Sequence, residues 1–79
     1  MNGITVITRP LTPHMLETLM DCHERELMNL EPIDVGILPY CTGLIQRGML
    51  GTQIYITEKG KKIMACYVTN AGRRYLSKL

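Results

Sequence analysis

From Thr52 onward, the periodicity of apolar residues along this chain changes from helical to strand-like. Two runs rich in Ile, Tyr, Val and Thr, residues 53–57 and 62–68, flank the tetrapeptide Glu58-Lys59-Gly60-Lys61. Such runs favour strands, and the glycine supplies the positive φ that a bulged hairpin turn requires. The sequence therefore predicts a β-hairpin whose tip carries Lys59, Lys61 and Lys62.

A long amphipathic helix is predicted before the hairpin, over residues 12–30. Thr12 supplies a capping hydroxyl, and Pro13 is a favourable first helical residue. The apolar stripe comprises Met15, Leu16, Leu19, Met20, Leu27 and Leu30, and the solvent face comprises Glu17, Thr18, Asp21, Glu24 and Arg25. His23 and Glu26 interrupt the stripe three residues apart. We expect His23 to be a partly buried residue satisfied by a neighbouring carboxylate or carbonyl.

Three further helical segments and one strand complete the predicted secondary structure. Glu31-Pro32 predicts a short second helix, or only a turn, ending near Gly36. A third helix is expected from Pro39 until Gly48 ends it, and a last helix from Asn70 to the end of the chain. The β-branched residues 4–8 predict a short strand at a sheet edge. The expected fold class is α+β, in a single domain over residues 1–79.

The small size of the chain bears on its oligomeric state and its compartment. A chain of 79 residues builds a thin core, so we expect a homodimer that covers exposed apolar surface. The odd number of cysteines, Cys22, Cys41 and Cys66, fits three buried thiols in a reducing compartment. The sequence has no visible signal peptide and no apolar run long enough to cross a membrane. We therefore expect a cytoplasmic protein that does not bind a membrane.

Charge divides the chain into two unlike halves. Residues 1–39 carry two basic and six acidic side chains, a net charge of −4, whereas residues 40–79 carry seven basic and one acidic, a net charge of +6. A basic surface in a small domain is typical of polyanion binding. The alternative is two solvated faces, which charge alone does not exclude.

Two short segments resemble those of winged helix-turn-helix regulators of the MarR-like and PadR-like kind. Leu44-Ile45-Gln46-Arg47-Gly48-Met49-Leu50 resembles the segment that closes their third helix and enters the hairpin, or wing. The segment from Val68 through Thr69, Gly72 and Arg73 to Leu76 resembles the one where the second wing strand leads into the next helix. The likeness covers about residues 30–79, and the small size is similar to that of phage and mobile-element proteins.

The resemblance implies a winged-helix-like domain that binds double-stranded DNA and regulates transcription. The third helix would then enter the major groove, with Gln46 and Arg47 on base edges and Tyr40 and Thr42 at the backbone. The hairpin lysines would meet phosphates, and the expected continuation of that basic track is Arg73 and Arg74.

Other functional classes fit the residues less well. No phosphate loop, serine elbow or zinc-protease motif is present, so we expect neither an enzyme nor a cofactor. The available metal ligands, His14, Cys22, His23, Cys41 and Cys66, lack the paired spacing of a zinc site, and no metal is expected. The main alternative is an adaptor of the same fold that binds a protein partner through its acidic first helix.

Overall fold

The computed structural model describes residues 10–79, which form three helices and one antiparallel hairpin. The elements are α1 (Pro13–Leu27), α2 (Cys41–Gln46), β1 (Leu50–Ile56), β2 (Lys62–Val68) and α3 (Asn70–Ser77). The α+β class is thereby confirmed, with three helices in this part of the chain rather than four. The strand predicted at residues 4–8 lies outside the described residues. No helix among the described residues is long and apolar enough to cross a bilayer.

Helix α1 begins as predicted but ends three residues early. The Thr12 hydroxyl oxygen accepts a hydrogen bond from the Met15 amide at 3.2 Å, and Pro13 occupies the first turn. At the other end, Asn29 adopts the left-handed conformation (φ 60°), and its amide donates to the Glu26 carbonyl at 3.1 Å. Asparagine tolerates this conformation better than most residues, so the helix closes before Leu30 rather than including it.

The buried face of α1 is rotated from the predicted stripe. The structure buries Met15, Thr18, Leu19 and Cys22. Met20 and Leu27 of the predicted stripe are instead exposed, whereas Thr18 and Arg25, predicted to face solvent, are buried and half-buried. The apolar positions predicted from spacing span a wider arc of the helix than the packing partners of α1 cover. The position of those partners therefore decides which side of α1 is buried.

The segment between α1 and α2 forms no second helix. It is extended against β2: the Val35 amide donates to the Met64 carbonyl at 2.9 Å, and the Cys66 amide donates to the Ile33 carbonyl at 3.1 Å. These bonds fill the edge of β2 that β1 leaves open. The short helix predicted after Pro32 is wrong, because local propensity could not register pairing with a strand some thirty residues away. The alternative, a turn near Gly36, is confirmed: residues 35–37 form a turn, and the Ile37 amide donates to the Asp34 carbonyl at 3.1 Å.

The predicted third helix is α2, and it is shorter than expected. It begins at Cys41 rather than Pro39, because Tyr40 adopts the left-handed conformation (φ 61°). Its predicted end is confirmed. Gly48 (φ 73°) reverses the chain, and the amides of Gly48 and Met49 donate to the carbonyls of Ile45 (2.9 Å) and Leu44 (3.0 Å). This is the Schellman arrangement that favours glycine after a helix.

The hairpin forms where predicted. Its register pairs Leu50 with Val68 at the base and Ile56 with Lys62 near the tip, so β1 starts earlier than its β-branched residues indicated. In the turn, Gly60 has a φ of 83°, and its amide donates to the Thr57 carbonyl at 2.8 Å. The glycine is therefore the left-handed residue that the turn requires.

Helix α3 is tied to the chain that enters the hairpin. The Thr69 hydroxyl accepts from the Gly72 amide at 3.1 Å and donates to the Gly48 carbonyl at 2.6 Å. Gly72 is buried because the Met49 carbonyl and the Val68 side chain lie directly against it. The helix ends at Ser77, two residues before the predicted end.

The core lies where the three helices meet the base of the hairpin. Leu19, Leu44 and Val68 are its largest fully buried side chains, one each from α1, α2 and β2. The buried cluster consists of Met15, Leu19, Cys22, Leu38, Cys41, Leu44, Leu50, Cys66 and Val68. Among residues 10–79, nothing covers Ile54, Ile56 and Met64 on the outer half of the hairpin, and these side chains remain exposed.

Candidate nucleic-acid interface

The hairpin tip presents its three lysines to solvent. Lys59, Lys61 and Lys62 are all exposed, and the turn is held by the Lys61 amide, which donates to the Thr57 hydroxyl at 3.0 Å. Lys62, near the tip, lies six residues from Val68, at the base of the hairpin. This is a distance of about 20 Å along an extended strand. The tip is therefore a projection whose ammonium groups can reach a surface that the core does not touch.

Two carboxylates lie at the same turn. Glu58 belongs to it, and Glu31 reaches it from the segment after α1, where its Oε2 accepts a hydrogen bond from the Glu58 amide at 2.9 Å. Three lysines and two glutamates give the tip a net charge of about +1. Sequence reasoning placed Glu31 in a separate helix or turn, because a contact across 27 residues leaves no local signal.

The exposed face of α2 carries the polar residues singled out for base contacts. Thr42 and Gln46, four residues apart, share one exposed side of the helix. The Arg47 guanidinium Nη1 instead donates to the Gly43 carbonyl of its own helix at 2.9 Å. Six helical residues span only about 9 Å, so α2 offers little more than one turn to a groove.

Tyr40 is part of an aromatic pair that the sequence did not indicate. Its ring stacks on His14 with centroids 5.4 Å apart and an interplanar angle of 7°. Both residues are exposed, and the pair joins the first turn of α1 to the start of α2. A flat polar-edged surface therefore extends the α2 face toward α1.

The two arginines of α3 lie apart from the lysines. Arg73 donates to the Val68 carbonyl at 3.0 Å, contacts the Asn70 side chain and lies 3.9 Å from a Glu26 carboxylate oxygen. These contacts hold it at the base of the hairpin, about a strand length from the tip. Arg74 is exposed on the same helix. The structure thus separates the predicted basic residues into two groups rather than one track.

A cleft of about 290 Å³ opens between the end of α1 and the hairpin. Its walls include Arg25, Leu30, Pro32, Tyr55 and Tyr67. The Arg25 guanidinium donates to the Glu31 carbonyl at 2.6 Å, which explains why this residue is not fully solvated. The cleft follows from the course of residues 29–33 across the hairpin and could not be inferred from periodicity.

The cysteines are confirmed as buried and free. They come from three elements, and the Cys41 thiol donates to the Val35 carbonyl at 3.5 Å. Burial raises the pKa of Cys22 to about 11 and that of Cys66 to about 12. Both thiols are therefore neutral at pH 7. Within residues 10–79, no group of three or more His, Cys, Asp or Glu side chains is arranged to hold a metal ion.

Comparison with known proteins adds no assignment to this geometry. The chain matches no protein-family model, no curated protein and no solved structure.

Proposed function

We propose that this protein is a small winged-helix DNA-binding regulator, with the hairpin tip on the phosphate backbone and α2 in the major groove. The observation that carries the proposal is the exposed lysine tip on a projecting two-stranded ribbon, in the same chain as an exposed polar helix face. Ribbons and helices are the two elements that fit the major groove of B-form DNA. The bridge of Asp34 to Ala65 supports the proposal further, because it fixes the hairpin against the core.

The dimensions of the two elements favour phosphate contacts over base contacts. The short α2 offers Thr42 and Gln46 to base edges, and Arg47 can join them by exchanging its bond to Gly43 for a guanine edge. The tip offers three flexible ammonium groups, which neutralise phosphates without regard to sequence. We therefore expect moderate affinity, a pronounced salt dependence and modest sequence discrimination.

The test measures binding to labelled duplex DNA by fluorescence anisotropy at several salt concentrations. The triple variant Lys59→Ala/Lys61→Ala/Lys62→Ala should bind every duplex more weakly, and the slope of log affinity against log salt should fall by up to about 0.9 per lost phosphate contact. The matched control is Lys59→Arg/Lys61→Arg/Lys62→Arg, which keeps three positive charges at the exposed tip and should keep most of the affinity and of the slope. A parent protein without salt-sensitive binding would overturn the proposal.

Base contacts are tested separately on a preferred duplex selected from a random pool. Gln46→Ala and Arg47→Ala should each cost about 1–3 kcal/mol on that duplex and little on random DNA. Equal losses on both duplexes would remove α2 from the base-reading role and leave only the phosphate contacts.

A second candidate, an adaptor that binds a protein partner, is favoured by the outer half of the hairpin. Ile54, Ile56 and Met64 lie on one face of the sheet and are 57%, 57% and 43% exposed. Apolar groups of this size are depleted from phosphate-binding surfaces, which are polar and positively charged. A parent protein that shows no salt-sensitive binding to DNA would favour this candidate.

A further inference from the structure

Helices α1 and α3 border an apolar groove that the rest of the described chain leaves open. The groove has a volume of about 470 Å³. Its walls are formed by Met20, His23, Glu24, Leu27, Arg73, Leu76, Ser77 and Leu79. Met20, Leu27 and Leu79 are 52%, 73% and 70% exposed, which is unusual for three large apolar side chains beside one groove.

The α1 wall of this groove has the spacing of a helix-packing seam. Met20, His23 and Leu27 line the groove at intervals of three and four residues, and Leu16, four residues before Met20, continues the same stripe beyond it. This interval keeps side chains on one stripe of a helix and lets them interdigitate with a neighbouring helix. The buried stripe of α1, which includes Leu19 and Cys22, lies beside it. Helix α1 therefore carries two seams, and residues 10–79 cover only one of them.

His23 is incompletely satisfied within the described residues. Its Nδ1 is buried and has no hydrogen-bond partner there, contrary to the expectation that a nearby carboxylate would bind it. Glu26, the expected partner, accepts instead from the Val68 amide at 2.7 Å. A buried polar atom without a partner costs free energy.

Charge identifies the occupant of the groove. The exposed flank of α1 carries Glu17, Asp21 and Glu24, and the exposed flank of α3 carries Arg74 and Lys78. A helix lying beside α1 gains from being basic, and a helix lying beside α3 gains from being acidic. The two faces of this chain thus complement each other when a copy is related by a two-fold axis.

We propose that a second copy of this chain occupies the groove, with α3 of each protomer packed against α1 of the other. The four helices then form a bundle in which Met20 and Leu27 of one protomer meet Leu76 and Leu79 of its partner. The opposite arrangement, α1 on α1, would bring the acidic flanks together and is disfavoured by like-charge repulsion.

This interface leaves α2 and the hairpin tip free. The proposal is therefore independent of DNA binding, and either one can fail without the other. A dimer that does bind DNA would present two copies of each contact surface to the duplex.

Sedimentation equilibrium over about 1 to 200 µM tests the interface, because dimerisation depends on concentration by mass action. Leu27→Asp should raise the dimer dissociation constant by about tenfold or more, since it buries a charge in the seam. Ile37→Asp is the matched control: Ile37 is 78% exposed, lies outside the groove and should leave the constant unchanged. A monomeric parent across the whole range, or equal effects of both variants, would overturn the proposal.

Charge reversal distinguishes the helix pairing. Glu17→Lys/Glu24→Lys reverses α1, and Arg74→Glu/Lys78→Glu reverses α3; each variant alone should dimerise more weakly than the parent. Mixed in equal amounts, the two should form a heterodimer, because both α1–α3 contacts then join opposite charges. Circular dichroism checks that each variant is folded. Unimpaired dimerisation of the α3 variant would contradict the α1–α3 pairing.

Discussion

Glu26 connects the first helix to the far end of the second strand through a single carboxylate. Its Oε2 accepts from the Val68 amide at 2.7 Å, and Oε1 lies 3.9 Å from Arg73. Residues 33–35 pair with β2 from Met64 to Cys66. The Val68 amide lies two residues further along β2, and no carbonyl of this extended segment accepts from it. The glutamate takes the place of the missing carbonyl and satisfies the edge of the sheet.

Removing this carboxylate should destabilise the fold. We expect Glu26→Ala to lower the free energy of unfolding by about 1–2 kcal/mol, because the half-exposed hydrogen bond to a charged group is lost and the Val68 amide is left without it. Urea denaturation measures the change. Lys59→Ala, in the exposed hairpin turn and outside the groove, should change it by less than about 0.5 kcal/mol. Equal effects of the two substitutions would contradict the role assigned to Glu26.

The buried thiols give a second prediction at the residue scale. Their folded pKa values, about 11 for Cys22 and about 12 for Cys66, lie above the usual 9, so both stay protonated in the folded protein to higher pH than in the unfolded chain. Their contribution to stability is complete below pH 9 and is lost as pH rises through the folded values. Native protein at pH 8 should therefore react with a thiol reagent much more slowly than protein in denaturant. Rapid labelling of a native thiol would contradict the burial.

At the scale of an element, α3 contains a glycine where helix propensity favours alanine. Gly72→Ala would improve an isolated helix by about 1 kcal/mol. Here a Cβ would overlap the Met49 carbonyl oxygen and press against Val68 Cγ1 at 2.9 Å. We expect a net loss of about 1–3 kcal/mol, the usual cost of overpacking. Thermal unfolding measures it, with Ser77→Ala in the same helix as the control. A stabilised Gly72→Ala variant would show that α3 can move away from the hairpin.

Elements whose signals are local could be predicted from the sequence, and the others could not. The hairpin turn at Gly60 and the helix ends at Thr12 and Gly48 each depend on neighbouring residues, and all three are confirmed. The helix predicted through Leu30 and the short helix predicted after Pro32 were wrong, the second because residues 33–35 pair with β2, which follows much later in the chain. Asn29 was a local signal that could have ended α1 correctly, since asparagine often occupies the left-handed position after a helix.

The candidate interface likewise contains features that local sequence could predict and features that it could not. The exposure of Lys59, Lys61, Lys62 and Gln46 follows from local periodicity and could be predicted. The contact of Glu31 with the tip and the ties of Arg73 to Glu26 could not, because they join residues distant in sequence. Each contact places a carboxylate from the acidic half of the chain beside basic residues of the other half. The positive charge at these sites is therefore smaller than the charge count of the two halves indicated.

Glu31 yields a prediction that belongs to the hairpin as a unit. Glu31→Gln keeps the side-chain oxygen that accepts from the Glu58 amide but removes a negative charge from the tip. If the tip meets phosphates, duplex affinity should rise several-fold at low salt, and the gain should shrink as salt increases. Asp21→Asn, the same change in charge on the outer side of α1, serves as control. Equal gains from both variants would indicate a general charge effect rather than contact at the tip.

At the scale of the whole molecule, the small core couples folding to association. Nine buried residues in this part of the chain hold together three helices and a hairpin, and three apolar side chains remain exposed along one groove. If a second copy covers that groove, the melting temperature should rise with protein concentration, because association stabilises only the folded state. Scanning calorimetry across a hundredfold range measures this, and Leu27→Asp should abolish the dependence. A melting temperature independent of concentration in the parent would argue against association.

The two edges of the sheet differ in how far they are hydrogen-bonded, and this difference has a practical consequence for handling the protein. Residues 33–35 and Glu26 occupy the outer edge of β2, whereas β1 pairs only with β2 in the described chain and carries no charged residue from Leu50 to Thr57. An uncharged open edge is a template for strand addition between molecules, which favours slow fibril or gel formation in concentrated stocks. Gln53→Lys places a charge on this exposed strand, and it is the substitution we would choose to prolong the storage life of the purified protein.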